Sequence, residues 1–130
     1  MKSFLFRDIC FTLDKKHAAN IANELIKRKI IGITCHNSIR LVKIASKNKA
    51  DYLAFGAFYS SKTKKTKYKA SINTLKKAKK ITNKPVVVIG GINSDNYRKL
   101  LLNKANFLAI SGYIWKNNKI KPIEAINKFV

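Results

Sequence analysis

Carboxylates are scarce in this chain, with six Asp and Glu against 28 Lys and Arg. Cysteine is scarce as well. Cys10 and Cys35 are too few for a disulfide framework, and each sits in an apolar stretch where a free thiol acts as a small hydrophobe. That usage fits a reducing compartment and a cytoplasmic location. No apolar run approaches the ~18 residues of a membrane span. The N-terminus, MKSFLFRDICFTLDKK, puts Arg7 and Asp8 where a signal peptide needs its apolar stretch. There is no internal repeat, no low-complexity linker, and no RRM, KH or zinc-finger signature.

What the chain does have is basic charge, +22 formally, and a hydrophobic fraction of 46%. That fraction is enough for a core, and the length of 130 residues makes one domain over 1–130 the default. A strongly basic domain is the usual electrostatic footprint of a nucleic-acid binder. Yet the sequence is crowded with Lys, Asn and Ile, and Arg occurs only at Arg7, Arg28, Arg40 and Arg98. An AT-rich genome produces that composition, whereas nucleic-acid contacts favour the forked guanidinium. Tyr52, Tyr59, Tyr68 and Tyr97 form no spaced aromatic pattern. Composition drift together with small anionic ligands outweighs nucleic acid as the account of the charge.

Short β-branched runs alternate with Lys-rich amphipathic ones. Ile9–Leu13, Ile30–Thr34, Asp51–Phe55, Pro85–Ile89 and Phe107–Ile110 read as strands. His17–Lys29, Ser38 to Asn48, Ser71–Thr82, Ser94–Asn103 and Pro122–Phe129 read as helices, with Gly56–Ala70 a polar loop. Five strand-plus-helix units in a row indicate a parallel α/β sheet. VVVIG and FLAIS are apolar at nearly every position, as expected of strands buried on both faces. An open doubly wound sheet fits, and so does part of a TIM (β/α)8 barrel. Five units cannot close a barrel, which needs eight and typically about 250 residues.

In parallel α/β folds, ligands sit at the C-terminal ends of the strands. Those ends carry Thr12 and Asp14; Thr34, Cys35 and His36; Gly56 to Lys65; Gly90, Gly91 and Asn93; and Ser111 and Gly112. The set is rich in small residues, hydroxyls and lysines and poor in acids, so it suits an oxyanion better than hydrolysis by paired carboxylates. Gly90-Gly91 follows a strand and precedes a helix expected near Ser94, where free N–H groups favour phosphate; a tight turn without a ligand is the plainer reading of the same pair. Ser60, Ser61, Thr63, Lys64 and Lys65 could wrap an anion or form a solvated charge run. His36 could be a general acid/base or a hydrogen-bonding residue.

Taken together, the strand ends resemble thiamine-phosphate synthase and its close relative, the thiazole tautomerases. The chain's IIGITCHNS, ADYLAFGAFYSSKTKK, KPVVVIGGINSDN and NFLAISGYI match that family's motifs in order, from about Ile30 to Ile114. The resemblance implies a barrel fold, of which this chain holds five consecutive parallel βα units, and a transferase activity. In that reaction an aminopyrimidine-methyl group moves from its diphosphate to thiazole phosphate. By the same resemblance, Ser61, Thr63 and Lys64 meet the thiazole phosphate and the diphosphate. Gly90, Gly91, Ile110 and Ser111 hold the thiazole phosphate, and Thr34 faces the diphosphate. Lys64 and His36 are the catalytic candidates.

The chain departs from the family pattern at Ala57, where the family has Pro, and more seriously near its N-terminus. There DICFTLDK replaces the family's DGxHLGQxD, and Asp14 stands one position from the Mg²⁺-binding Asp. The strand and the Asn-Asp pair that bind aminopyrimidine diphosphate have no match. The expectation is therefore a truncated synthase with an intact thiazole-phosphate half-site, Asp14 as its Mg²⁺ ligand, and self-association where strands lack neighbours. A thiazole-phosphate-binding or tautomerase-like protein, and a basic nucleic-acid-binding module, are the alternatives.

Overall fold

The computed structural model describes residues 9–12 as backbone and residues 30–61 and 65–129 in full. Five strands form one sheet in the order β1-β2-β3-β4-β5, every neighbour parallel. They are β1 (Ile9–Thr12), β2 (Ile31–His36), β3 (Tyr52–Gly56), β4 (Val86–Ile89) and β5 (Phe107–Ala109). The helices are α1 (Ile39–Lys47), α2 (Ile72–Ile81), α3 (Tyr97–Leu102), α4 (Gly112–Trp115) and α5 (Pro122–Asn127). The helix expected over His17–Lys29 lies outside the described residues.

Local chemistry sets the helix starts. Ser38 caps α1, accepting from Leu41 N–H. Ser71 caps α2 in a reciprocal box with Thr74, which satisfies two of the amides a helix start leaves open. Pro122 opens α5, where its missing N–H costs nothing. The strand starts are tied by side chains too. Asp51 Oδ2 accepts from Ile31 N–H at 2.6 Å, and Asn106 Oδ1 accepts from Val86 N–H at 2.8 Å.

Strand order never reverses, so crossovers of one hand carry the helices to the same face. That face is the core. Ile31, Ile33 and Cys35 of β2, Leu53 and Phe55 of β3, and Val86 and Val88 of β4 pack with Val42, Ala45, Leu75, Ala78 and Leu100. The alternate residues point the other way and are less covered. Thr34 and Val87 are half-buried, Ile89 is 47% exposed and Phe107 42%. The expectation that VVVIG and FLAIS are buried on both faces is thus corrected. Apolar at nearly every position, they are covered by the described helices on one side only.

Two helices also differ from expectation. The run expected from Ser94 to Asn103 is helical only from Tyr97 to Leu102, and α4 was not expected at all.

Candidate functional site: the rim at the strand C-termini

At the end of β2 the ladder slips. Thr34 pairs with Ala54 and His36 with Phe55, so Cys35 is the extra residue of a bulge. His36 adopts φ 53. An added residue bends the strand and re-aims the side chains beyond it. Cys35 consequently stays fully buried, and the His36 ring lies on Tyr68 with centroids 4.3 Å apart and planes at 28°. The neighbouring Asn37 Nδ2 donates to Lys69 O at 3.2 Å. The end of β2 therefore grips residues near the end of the long loop after β3.

That loop closes on itself at its base. Ala57 N–H donates to Tyr68 O and Ala70 N–H to Ala57 O, at 3.0 and 2.9 Å. Its first residues then run along the next loop, Phe58 N–H donating to Ile89 O and Tyr59 N–H to Gly90 O, at 3.1 and 3.0 Å. The Gly56–Ala57 peptide is cis. Ser61 is half-buried, Lys65, Lys67 and Lys69 are exposed, and Thr63 and Lys64 lie outside the described residues, as does Asp14.

Gly90 and Gly91 have φ of +107° and +61°, a region that side chains rarely tolerate. Their bare faces are in use. A Cβ on Gly90 would strike Ala57, and one on Gly91 would strike Ser60 O and Tyr59. The glycines therefore admit the preceding loop's own backbone, a role not read from the sequence.

Beyond Gly91, the amides of Asn93, Asp95 and Asn96 are bound by side chains. Asn93 Oδ1 accepts from Asp95 N–H and Asn96 N–H, and Asn96 Oδ1 accepts from Asn93 N–H. Asn96 Nδ2 donates to Gly91 O, and Tyr59 Oη donates to Asn96 O. The open helix start expected near Ser94 is replaced by Asx-type turns that hold the Gly91 carbonyl in place. The repeated Asn of NSDN is the signal that marks such a turn.

After β5 come Ile110, half-buried against the core, and Ser111, exposed, whose carbonyl accepts from Ile114 and Trp115 in α4. Tyr113 Oη donates to Ser94 Oγ at 3.0 Å. Since Ile89 pairs with Ala109, Gly90 and Ile110 leave adjacent strands side by side. Of the sequence candidates, Ser61, Gly90, Gly91, Ile110 and Ser111 thus belong to three loops joined by hydrogen bonds. Thr34 and His36 reach the same rim from β2.

The described carboxylates do not serve this rim as a metal centre. Asp51 is bound at the opposite end of the strands. Asp95 is held by Ser94, and Glu124 accepts from Lys121 N–H at the start of α5. No group of three or more His, Cys, Asp or Glu among the described residues could hold a metal ion. Among the described residues, a lysine with a lowered pKa also lies away from the rim. Lys79, which donates to Lys84 O and Asn106 Oδ1, is lowered by partial burial and then by nearby Lys104.

A parallel sheet in sequential order, with hydroxyl- and glycine-bearing loops joined at its C-terminal rim, places the chain in the α/β class. Within that class, the family model described as thiamine monophosphate synthase matches residues 13–114. The chain belongs to the thiamine monophosphate synthase family. It is 66% identical over 107 residues to the thiamine-phosphate synthase of Pelagibacter ubique, covering 82% of this chain and 52% of that relative. It is 43% identical over 95 residues to that of Nitrosomonas eutropha, covering 73% and 45%. The thiamine phosphate pyrophosphorylase of Pyrococcus furiosus superposes with a TM-score of 0.76 at 25% identity, over 92% of this chain and 55% of that one. The chain spans about half the length of these relatives. No described helix is long and apolar enough to cross a membrane.

Proposed function

We propose that this chain is an arc of a (β/α)8 barrel and holds thiazole phosphate at the loops after β3, β4 and β5, as the acceptor half of a cytoplasmic thiamine-phosphate synthase. The observation that carries the reading is the joining of these loops by Tyr59 N–H to Gly90 O and Tyr113 Oη to Ser94 Oγ. In the family reaction the bond from the pyrimidine methylene carbon to diphosphate breaks, the electron pair leaving with diphosphate, and the thiazole nitrogen then bonds to the stabilised cation. Such a step asks for positioning and charge stabilisation rather than a protein nucleophile. Ser61, Thr63 and Lys64 are the groups for the thiazole phosphate and the leaving diphosphate, and Thr34 faces the diphosphate. Gly90, Gly91, Ile110 and Ser111 are those for the thiazole phosphate.

The described residues supply no carboxylate set for Mg²⁺. Asp14 is the one candidate ligand, and it lies outside them. By the resemblance, the chain by itself binds the acceptor and couples it slowly, because the strand and the Asn-Asp pair that bind aminopyrimidine diphosphate have no match in its sequence. Self-association fits the half-exposed Ile89 and Phe107, since apolar surface on a sheet seeks a cover.

Amide chemical-shift mapping with thiazole phosphate tests the site. Shifts concentrated at Gly90, Gly91, Ser111 and Ser61 are expected. Shifts elsewhere, or none at millimolar ligand, would refute it.

A further inference from the structure

The stacked pair His36 and Tyr68 joins the bulged end of β2 to the closing stem of the loop after β3. We propose that His36 is a positioning residue, acting through its ring face on Tyr68 to hold that loop for anion binding, rather than a group that carries a proton. The inference rests on the anion reading above and assigns Tyr68 and Asn37 to the same task.

Three independent contacts converge on the stem. The His36 ring stacks on Tyr68 at 4.3 Å. Asn37 Nδ2 holds Lys69 O. Tyr68 O in turn accepts from Ala57 N–H, so the ring that His36 covers belongs to the residue closing the loop's base. The bulge explains why His36 can do this. Without the extra residue at Cys35, the next side chain would keep to the strand's alternation. The opposite stem is secured separately, by Phe58 and Tyr59 on the carbonyls of Ile89 and Gly90. The segment between the two stems starts at Ser61 and includes exposed Lys65 and Lys67. Fixing both stems limits where these groups can go, and so lowers the ordering cost of binding.

Stacking needs a flat ring and nothing else of histidine. Aromatic replacement should therefore rescue what alanine destroys, a pattern that neither proton transfer nor a direct contact from the imidazole would show. The probe is inorganic diphosphate, titrated calorimetrically into the full chain and its His36→Ala, His36→Phe, Tyr68→Ala and Tyr68→Phe variants. Both alanine variants should weaken binding about fivefold, the scale of a lost aromatic pair. Both phenylalanine variants should stay within about twofold of the parent, and the double alanine variant should be no worse than either single, as for residues acting as one unit. Tryptic cleavage after Lys65 and Lys67 provides a readout without ligand, faster in the alanine variants and unchanged in the phenylalanine ones.

Loss of binding in His36→Phe equal to that in His36→Ala would overturn the proposal, as would four variants indistinguishable from the parent in cleavage. If the parent chain fails to bind diphosphate, the anion reading and the positioning role for it both fall. The cleavage pattern then decides only whether the stack holds the loop.

Discussion

Tyr113 donates from its hydroxyl to Ser94 Oγ at 3.0 Å, linking the loop after β5 to the loop after β4. The rings of Tyr113 and Phe129 meet edge to face at 5.5 Å, which fixes the phenol's approach from the other side. Tyr113→Phe keeps the ring packing and deletes the link. The expected loss is about 1 kcal/mol of stability, with weaker thiazole-phosphate binding. Urea midpoints and calorimetric titration of parent and variant check both.

Gly91 carries the sharpest steric demand at the rim. Its φ of +61° and the proximity of Ser60 O and Tyr59 leave no room for a side chain. Gly91→Ala is expected to cost more than about 1 kcal/mol, and Gly91→Val more again, by displacing Tyr59 and Ser60. The displacement should appear as loss of protection at Tyr59 N–H in hydrogen exchange.

These two positions also show how far the sequence could be read. The alternation of β-branched and Lys-rich runs located all five strands, and Ser38, Ser71 and Pro122 marked helix starts by their own chemistry. The glycine pair was legible as a special turn. That its bare faces admit residues 57–60 was not, because close approach between loops distant in sequence has no local signature. The delayed start of α3 was hidden for a different reason. Ser94 and Asp95 read as a helix start, while Asn93 and Asn96 divert the amides into turns. The bulge at Cys35 depends on register against β3, which no single strand encodes. Burial of β4 and β5 on both faces was misread because composition reports what a strand tolerates, not which neighbours the described chain provides.

Lys79 offers a test of electrostatics away from the rim. Its pKa is lowered from 10.5, first by burial and then by Lys104, so between its folded value and 10.5 the unfolded chain holds more protons. Stability contributed by this group therefore rises with pH across that window, and the penalty is fully present below it. Lys104→Gln removes the like charge and should stabilise the protein at neutral pH by a few tenths of a kcal/mol, since Lys79 is largely solvated. The gain should shrink in high salt and fade above the window. Urea midpoints at neutral and alkaline pH, in low and high salt, measure it.

Coupling should fail where binding succeeds. With thiazole phosphate, aminopyrimidine diphosphate and Mg²⁺, the purified chain is expected to form thiamine phosphate far more slowly than the full-length Pelagibacter ubique relative. Turnover within about tenfold of that control, a barrier difference under ~1.4 kcal/mol, would mean that the chain's own residues complete the diphosphate site.

The most direct measurement is the calorimetric titration of thiazole phosphate into the 130-residue chain and into Gly91→Val, with the fold of both checked by circular dichroism. The expected result is saturable binding at one site per chain in the parent and its loss in a folded Gly91→Val. A parent that shows no saturable binding, or a Gly91→Val variant that binds as well as the parent, would contradict a thiazole-phosphate site at the joined loops after β3, β4 and β5.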